Sequence, residues 1–316
     1  MVVKFDIWVL VKGLLMGAAD IVPGVSGGTV AFITGIYERL LTALKSILPE
    51  VLRLLKSRKF TQFWVSIDGG FLLTLFSGIL ISVLSLAKII SYLLSEYPIP
   101  LWATFFGLII GSIYIISKEL ENWTLKLIGV ASLGAVIAFY ITGLSPVQVE
   151  PSLLNIFLSG AVAICAMVLP GLSGSFILVM LGTYSFILLA IKDLNLTVLL
   201  VFSSGCLVGL LSIANILVWT FARYQSATLA ILTGLMIGAL NKVWPWKEVL
   251  QYRLNSHGQK VALIEQNVLP STYETITSLP SQLPIALICA LGAILFVVLV
   301  SKAARKSEQG LKDSVI

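Results

Sequence analysis

The hydrophobic positions of this 316-residue chain gather into long runs instead of alternating with polar ones, and the run lengths predict its elements. A helix that crosses a bilayer needs about 20 apolar residues. Six stretches meet or approach that length: roughly 69–95, 100–117, 127–146, 195–222, 227–241 and 283–301. The shorter ones span only if their polar flanks reach the interface. Two further apolar regions, 5–45 and 153–192, are too long for one helix. Each is interrupted near its middle, by DIVPGVSGGT (20–29) and by MVLPGLSGSF (167–176). Proline removes a backbone donor and glycine lowers helix propensity, so Pro23 and Gly24 in the first run, and Pro170 and Gly171 in the second, are expected to break the helix. The arms on either side are about 13–16 residues long, about 20–24 Å at helical rise. That is short of a bilayer, so re-entrant helical hairpins are the expectation at both places.

Composition narrows the class. Hydrophobic residues make up 58% of the chain, charged residues 11%, and the mean hydropathy is +1.01. A soluble domain is nearer 25% charged, so a water-soluble enzyme is excluded and an all-α polytopic membrane protein expected. Cys165, Cys206 and Cys289 sit in apolar runs without ligand-like spacing, which argues against a disulfide framework or a thiolate metal site. The start, MVVKFDIWVLVKG, has no small-residue cleavage site and reads as mature sequence.

The net charge of +6 reads as topology rather than nucleic-acid binding, because basic residues flanking apolar spans mark the cytoplasmic side. With both broken regions entering and leaving on one side, fifteen Lys and Arg face the cytoplasm and five face outward, with Lys88 inside a span. Single crossings give a more even split. The hairpin arrangement is therefore expected, with both termini cytoplasmic and a cytoplasmic tail at 302–316. Residues 46–64, with Arg53, Lys56, Arg58 and Lys59 among leucines, read as a basic interfacial helix. The longest polar segment, 241–282, is expected outside, with Trp244 and Trp246 at the interface.

The chain also repeats itself. Residues 12–45 align without gaps on 159–192 with eleven of 34 positions identical, and 77–112 on 204–239 with 13 of 36 identical. The halves, 1–150 and 151–316, thus each read as one hairpin followed by three spans. An odd number of spans inverts one half relative to the other, the construction of many secondary transporters.

The segments MGAADIVPGVSGGTVAFITGIYERL (16–40) and AMVLPGLSGSFILVMLGTY (166–184) resemble the paired signatures of the prokaryotic polyprenyl-phosphate transporters. The resemblance covers nearly the whole chain in length and order of elements, and neither signature departs from the pattern. It implies a flippase, not an enzyme, that returns undecaprenyl phosphate to the cytoplasmic leaflet for reuse in cell-wall precursor synthesis. A transporter or channel for a small anion or ion is the alternative that the same broken helices permit. A lipid phosphatase lacks support, since no span carries histidine and no paired-carboxylate or metal-ligand set is evident.

Candidate residues follow from what a phosphate needs. Glycines allow close backbone approach, and helix starts offer unpaired amides with partial positive charge. Ser26, Gly27, Gly28 and Thr29 in the first half, with Ser173, Gly174 and Ser175 in the second, are the expected phosphate contacts. Lys88 is a candidate for a side-chain charge on the phosphate or a snorkelling lysine, and Arg39 for headgroup capture or an ion pair with Glu38. Asp20, at membrane depth, suits a coupling proton or Na+, or pairing with a basic side chain. Other small residues, among them Gly13, Gly35, Gly107, Gly111, Gly234 and Gly238, are expected to let helices pack closely. No resident cofactor is expected. A homo-oligomer is compatible with the small-residue faces.

Overall fold

The computed structural model describes residues 6–21, 26–57, 59–120, 122–144, 152–254 and 260–313. Its elements are α1 (Ile7–Asp20), α2 (Gly27–Ile33), α3 (Tyr37–Ser57), α4 (Phe60–Ser66), α5 (Gly69–Glu96), α6 (Pro98–Ser117), α7 (Leu125–Gly143), α8 (Leu153–Val168), α9 (Gly174–Met180), α10 (Tyr184–Lys192), α11 (Leu196–Ala239), β1 (Lys247–Leu254), β2 (Lys260–Asn267), α12 (Pro270–Thr277) and α13 (Leu283–Asp313). Among the described residues five helices are long and apolar enough to cross a membrane: α5, α6, α7, α11 and α13. The chain is a polytopic helical membrane protein.

Local chemistry sets the helix starts. Asp6, Thr124, Ser152 and Asn195 each stand just before a helix and accept a hydrogen bond from a first-turn amide, satisfying donors that hydrocarbon would leave bare. Both expected hairpins are indeed broken after α1 and after α8. Each then breaks again. The second arm of each turns a second time at Gly35 and Gly182, whose φ values of 74° and 70° lie in the left-handed region that favours glycine. The bend from α9 to α10 is 107°. The repeated glycine at this position serves backbone conformation, where close packing was expected.

Three further boundaries differ from the sequence reading. The basic stretch 46–64 is not a separate helix: α3 runs from the first hairpin through Pro49 to Ser57, and only then does short α4 follow. Proline removes one helical donor, and Pro49 lies on the exposed side of α3, where the carbonyl it leaves unpaired is not sealed in the core. The expected spans 195–222 and 227–241 join in one 44-residue helix, α11, bent where Tyr224 leaves helical geometry at φ −140°, ψ 51°. Tyr97, its partner in the repeat alignment, separates α5 from α6 at φ −133°, ψ 52°. Pro98 accounts for the first bend, because a residue before proline is pushed out of the helical region. Gln225 follows the second, and the same angles recur without proline. The polar segment 241–282 adds an antiparallel β-hairpin, β1 with β2, and α12 to the helical body. Helix α13 continues through the tail to Asp313.

Glycine contacts give the packing register. A Cβ on Gly13 would meet the Leu75 carbonyl, and one on Gly78 the Leu10 carbonyl; in the second half Gly160 faces the Phe202 carbonyl and Gly205 the Phe157 carbonyl. These are the same four positions under the repeat alignment. Gly17 lies a turn further along against Ile79 and Ser82, and Gly209 against Ala161, so α1 runs parallel to α5 and α8 parallel to the start of α11. The remaining helices pair across the halves. Gly107 and Gly111 of α6 meet Ala290 and Val297 of α13, while Gly234 and Gly238 of α11 meet Ala131 and Ala135 of α7, both pairs again parallel. The largest apolar cluster joins Met16, Leu41 and Leu75 to Ile177, Leu217 and Leu232, so the halves share one core.

Replacing Gly234 by valine would drive a side chain into the α7 backbone, which can yield only by separating the helices. Gly234→Val should reduce the detergent-extracted folded protein severalfold, on the scale of overpacking in a buried interface. Gly292→Ala, where no atom lies within 4 Å, should leave it unchanged. Fluorescence-detected size exclusion of the two variants checks this.

Candidate functional site

The two breaks meet each other. Helix α8 ends at Val168, leaving carbonyls without helical partners, and residues of the first break cap them. The Ser26 hydroxyl donates to the Met167 carbonyl at 2.8 Å, and the Tyr37 hydroxyl to the Val168 carbonyl at 3.1 Å. In return the Gly171 amide donates to Thr29 Oγ1 at 3.0 Å. Gly171 has φ 90° and lies against Met236 of α11, which aims its amide back across the junction. A Cβ on Gly28 would stand 2.5 Å from the Val168 carbonyl. The breaks therefore dock backbone to backbone, and glycine is needed for the contact itself.

The donors of the two halves differ in what they do. At the start of α2 the Gly27 amide donates to Asp20 Oδ1 at 2.7 Å, the Gly28 amide to Ser26 Oγ at 3.1 Å and the Thr29 amide to the Ser26 carbonyl at 3.0 Å. The first break thus satisfies its own leading amide, with the Asp20 carboxyl group seated on the start of α2. Met167 takes the position of Asp20 in the second half. There Ser173 makes no side-chain cap, and its hydroxyl instead pairs with that of Ser175 at 3.0 Å. Ser26, Thr29 and Ser173 are buried, and Ser175 is half-buried.

Other candidates lie apart from this junction. Arg39 is bound bidentately by Asp68, at 2.6 and 3.2 Å, and lies 4.2 Å over the Phe71 ring. Glu38 is exposed, beside a cleft of about 380 Å³ that includes Thr42, Phe221 and Gln225. Lys88 is exposed on α5, with the exposed Leu84 and Ile89 around it. Pro23 and Gly24 lie outside the described residues, while Pro170 is buried ahead of the Gly171 turn. No group of three His, Cys, Asp or Glu side chains gathers among the described residues.

Two features escaped the sequence reading. An apolar cavity of about 150 Å³ adjoins the first break, walled by Ala18, Val30, Phe105, Ile109 and Val297. It forms because α1, α2, α6 and α13 converge there, and no periodicity signals that. The second is a charge cluster at the far end of α11. Lys242 lies 5.0 Å from the Phe176 ring in the first turn of α9 and 3.6 Å from the Glu265 carboxylate. Lys247 donates to the Lys242 carbonyl at 2.8 Å, contacts the same carboxylate at 3.4 Å, and stacks 4.3 Å over Trp102. Burial pushes the Lys247 ammonium down from 10.5 to about 8, with Glu265 pulling it partly back.

The family model described as VCA0040-like, undecaprenyl phosphate translocase-like, matches residues 16–261. A polyprenyl-phosphate transporter of Vibrio cholerae is 49% identical over 295 residues, 93% of this chain and 96% of that protein. A polyprenyl-phosphate transporter of Staphylococcus aureus is 33% identical over 257 residues, 75% of this chain and 86% of that protein. No solved structure matches.

The Lys247 shift has a sign that stability measurements can test. An unfolded chain keeps this proton up to 10.5, whereas the folded one releases it above about 8. Between those values the unfolded state binds more protons, so stability rises with pH across the window and is at its lower plateau below about 8. The thermal midpoint in detergent should climb from pH 8 to 10.5. Lys247→Met should begin higher at pH 7 and flatten that climb.

Proposed function

We propose, from the premise that this chain belongs to the undecaprenyl phosphate translocase-like family, that it moves polyprenyl phosphate between the leaflets of the prokaryotic cytoplasmic membrane. The direction is from the outer to the cytoplasmic leaflet, where the lipid re-enters cell-wall precursor synthesis. The observation that carries the reading is the docked pair of broken helices. Each half contributes a serine-glycine break, and the breaks hydrogen-bond to one another at the centre of the shared core.

Inverted repeats with re-entrant hairpins are the architecture we infer. Parallel packing of α1 on α5 supports it, because the chain must return to the side on which α1 began before α5 starts. The second half offers the same argument through α8 and α11. Both pairings agree with the excess of basic residues on one side and with cytoplasmic termini.

In this conformation the phosphate belongs at Ser173, Gly174 and Ser175. Those groups are free of the internal carboxylate that Asp20 supplies at Ser26, Gly27 and Gly28. Transfer to the first break requires Asp20 to withdraw or take a proton, which makes it the residue through which H+ or Na+ coupling would act. Helix starts and hydroxyls offset the cost of carrying a phosphate across hydrocarbon. The apolar cavity beside the first break has room for only a short part of a prenyl chain, so the rest of that chain belongs in the surrounding lipid.

The test is flipping of undecaprenyl phosphate in proteoliposomes, followed by the externally accessible fraction. Wild type should equilibrate it faster than empty vesicles. Ser173→Ala combined with Ser175→Ala should slow this roughly tenfold, the scale of one or two hydrogen bonds to a charged group. Membrane content should stay normal. Transport by the double variant at the wild-type rate would remove the second break from the mechanism. No acceleration by wild type, under either a pH or a sodium gradient, would favour a small-ion substrate.

A further inference from the structure

We propose that Lys242 and Lys247 form a docking site for a phosphate monoester, poised above the second break, with Glu265 as the internal anion that the phosphate displaces. The inference rests on the transport reading above and adds to it the residues that receive the substrate.

Two ammonium groups share a single carboxylate here. Lys242 and Lys247 stand 3.6 and 3.4 Å from the same Glu265 oxygen, and among the described residues no other carboxylate pairs with either. The lysines are not equivalent. Lys247 is held on three sides, by the Lys242 carbonyl, Glu265 and the Trp102 ring, with 8% of its side chain exposed. Lys242 is 24% exposed, and its carboxylate contact is the longer one. Lys247 therefore fixes the positive potential while Lys242 is free to change partner.

Position argues for what the site receives. Lys242 stands at the end of α11, against whose Met236 the second break packs, and its ammonium faces Phe176, next in sequence to Ser175. Aromatic rings lie against both ammonium groups, Phe176 at 5.0 Å from Lys242 and Trp102 at 4.3 Å from Lys247. A phosphate monoester that approaches the second break from this end of α11 meets these ammonium groups before it meets the hydroxyls of Ser173 and Ser175. A phosphate dianion outcompetes a carboxylate for them through its greater charge and additional acceptor oxygens. Glu265 then keeps the lysines paired, and the apolar surroundings tolerable, whenever the site is empty.

The experiment uses the full-length protein in detergent and follows tryptophan fluorescence during titration with micellar undecaprenyl phosphate and, separately, with inorganic phosphate. Lys242→Gln should weaken lipid binding roughly fivefold, the scale of a part-exposed charge pair, and Lys242→Arg should restore most of it. Glu265→Gln should tighten binding, because it removes the competing anion. A structural ion pair would behave differently: both neutral variants would then weaken binding alike, and that result overturns the proposal. Unchanged binding in Lys242→Gln overturns it as well. Saturation by lipid with weak competition from inorganic phosphate assigns the site to a lipid headgroup. Equal saturation by inorganic phosphate assigns it to the free anion. Wild type that shows this binding pattern without flipping lipid in proteoliposomes overturns the transport reading and leaves the docking site standing. Wild type that flips lipid at rates untouched by Lys242→Gln, at limiting lipid, overturns the docking site alone.

Discussion

Hydrocarbon offers nothing to hydrogen-bond, so every helix that stops inside the membrane must find partners for the groups it exposes. This protein stops helices twice against its apolar core, after α1 and after α8, and much of its interior organisation answers the same demand for partners. The last carbonyls of α8 are met by hydroxyls of Ser26 and Tyr37. The first amides of α2 are met by Asp20 and Ser26, and the turn after α8 sends its Gly171 amide to Thr29. The first break thus caps its own helix start, while the second is completed by residues of the first half. The second half is not a self-sufficient structure at its centre.

The same constraint explains where glycine is used. At Gly28 a side chain would push the two breaks apart, at Gly171 one would run into Met236 of α11, and at Gly35 and Gly182 the backbone turns through the left-handed region. Elsewhere glycines bring one helix backbone against another, and they do so at matching positions in the two halves. Without a hydrophobic drive between helices in lipid, this close packing supplies much of the association. The helices then exchange partners between halves, α6 with α13 and α7 with the end of α11, which locks the two repeats around the docked breaks.

Asymmetry enters through single residues placed on this near-symmetric frame. Asp20 stands in the first half where Met167 stands in the second, so one helix start holds an internal anion and the other does not. The charge cluster at Lys242, Lys247 and Glu265 likewise belongs to the second half alone, built on a segment with no counterpart in the first. Two equivalent halves could hold a ligand equally well. In the transport we propose, unequal halves hold the phosphate unequally, and the Asp20 and Glu265 carboxylates are the groups that compete with it.

Much of the fold was legible in the sequence, because the relevant signals are local. Apolar run length predicts spans, Pro-Gly pairs predict breaks, and two ungapped blocks of identities, at offsets of 147 and 127, reveal the repeat. Boundaries were less legible where one signal conceals another. The basic face of 46–64 hid the continuity of α3, and two apolar runs on either side of Tyr224 gave no sign that one bent helix carries both. The serines and glycines of the breaks were also legible as candidates, but their division of labour was not. Whether Ser26 faces a ligand or the Met167 carbonyl depends on a residue 141 positions away. The pairing of Arg39 with Asp68 and the convergence of Lys242 on Phe176 are of the same kind. Sequence by itself determined a helical membrane protein with two broken segments and serine-glycine chemistry at each. Only the tertiary structure decided which of those donors are already satisfied, because hydrogen bonds and charge pairs are settled by distance in space, and the chain brings those partners together only once it has folded.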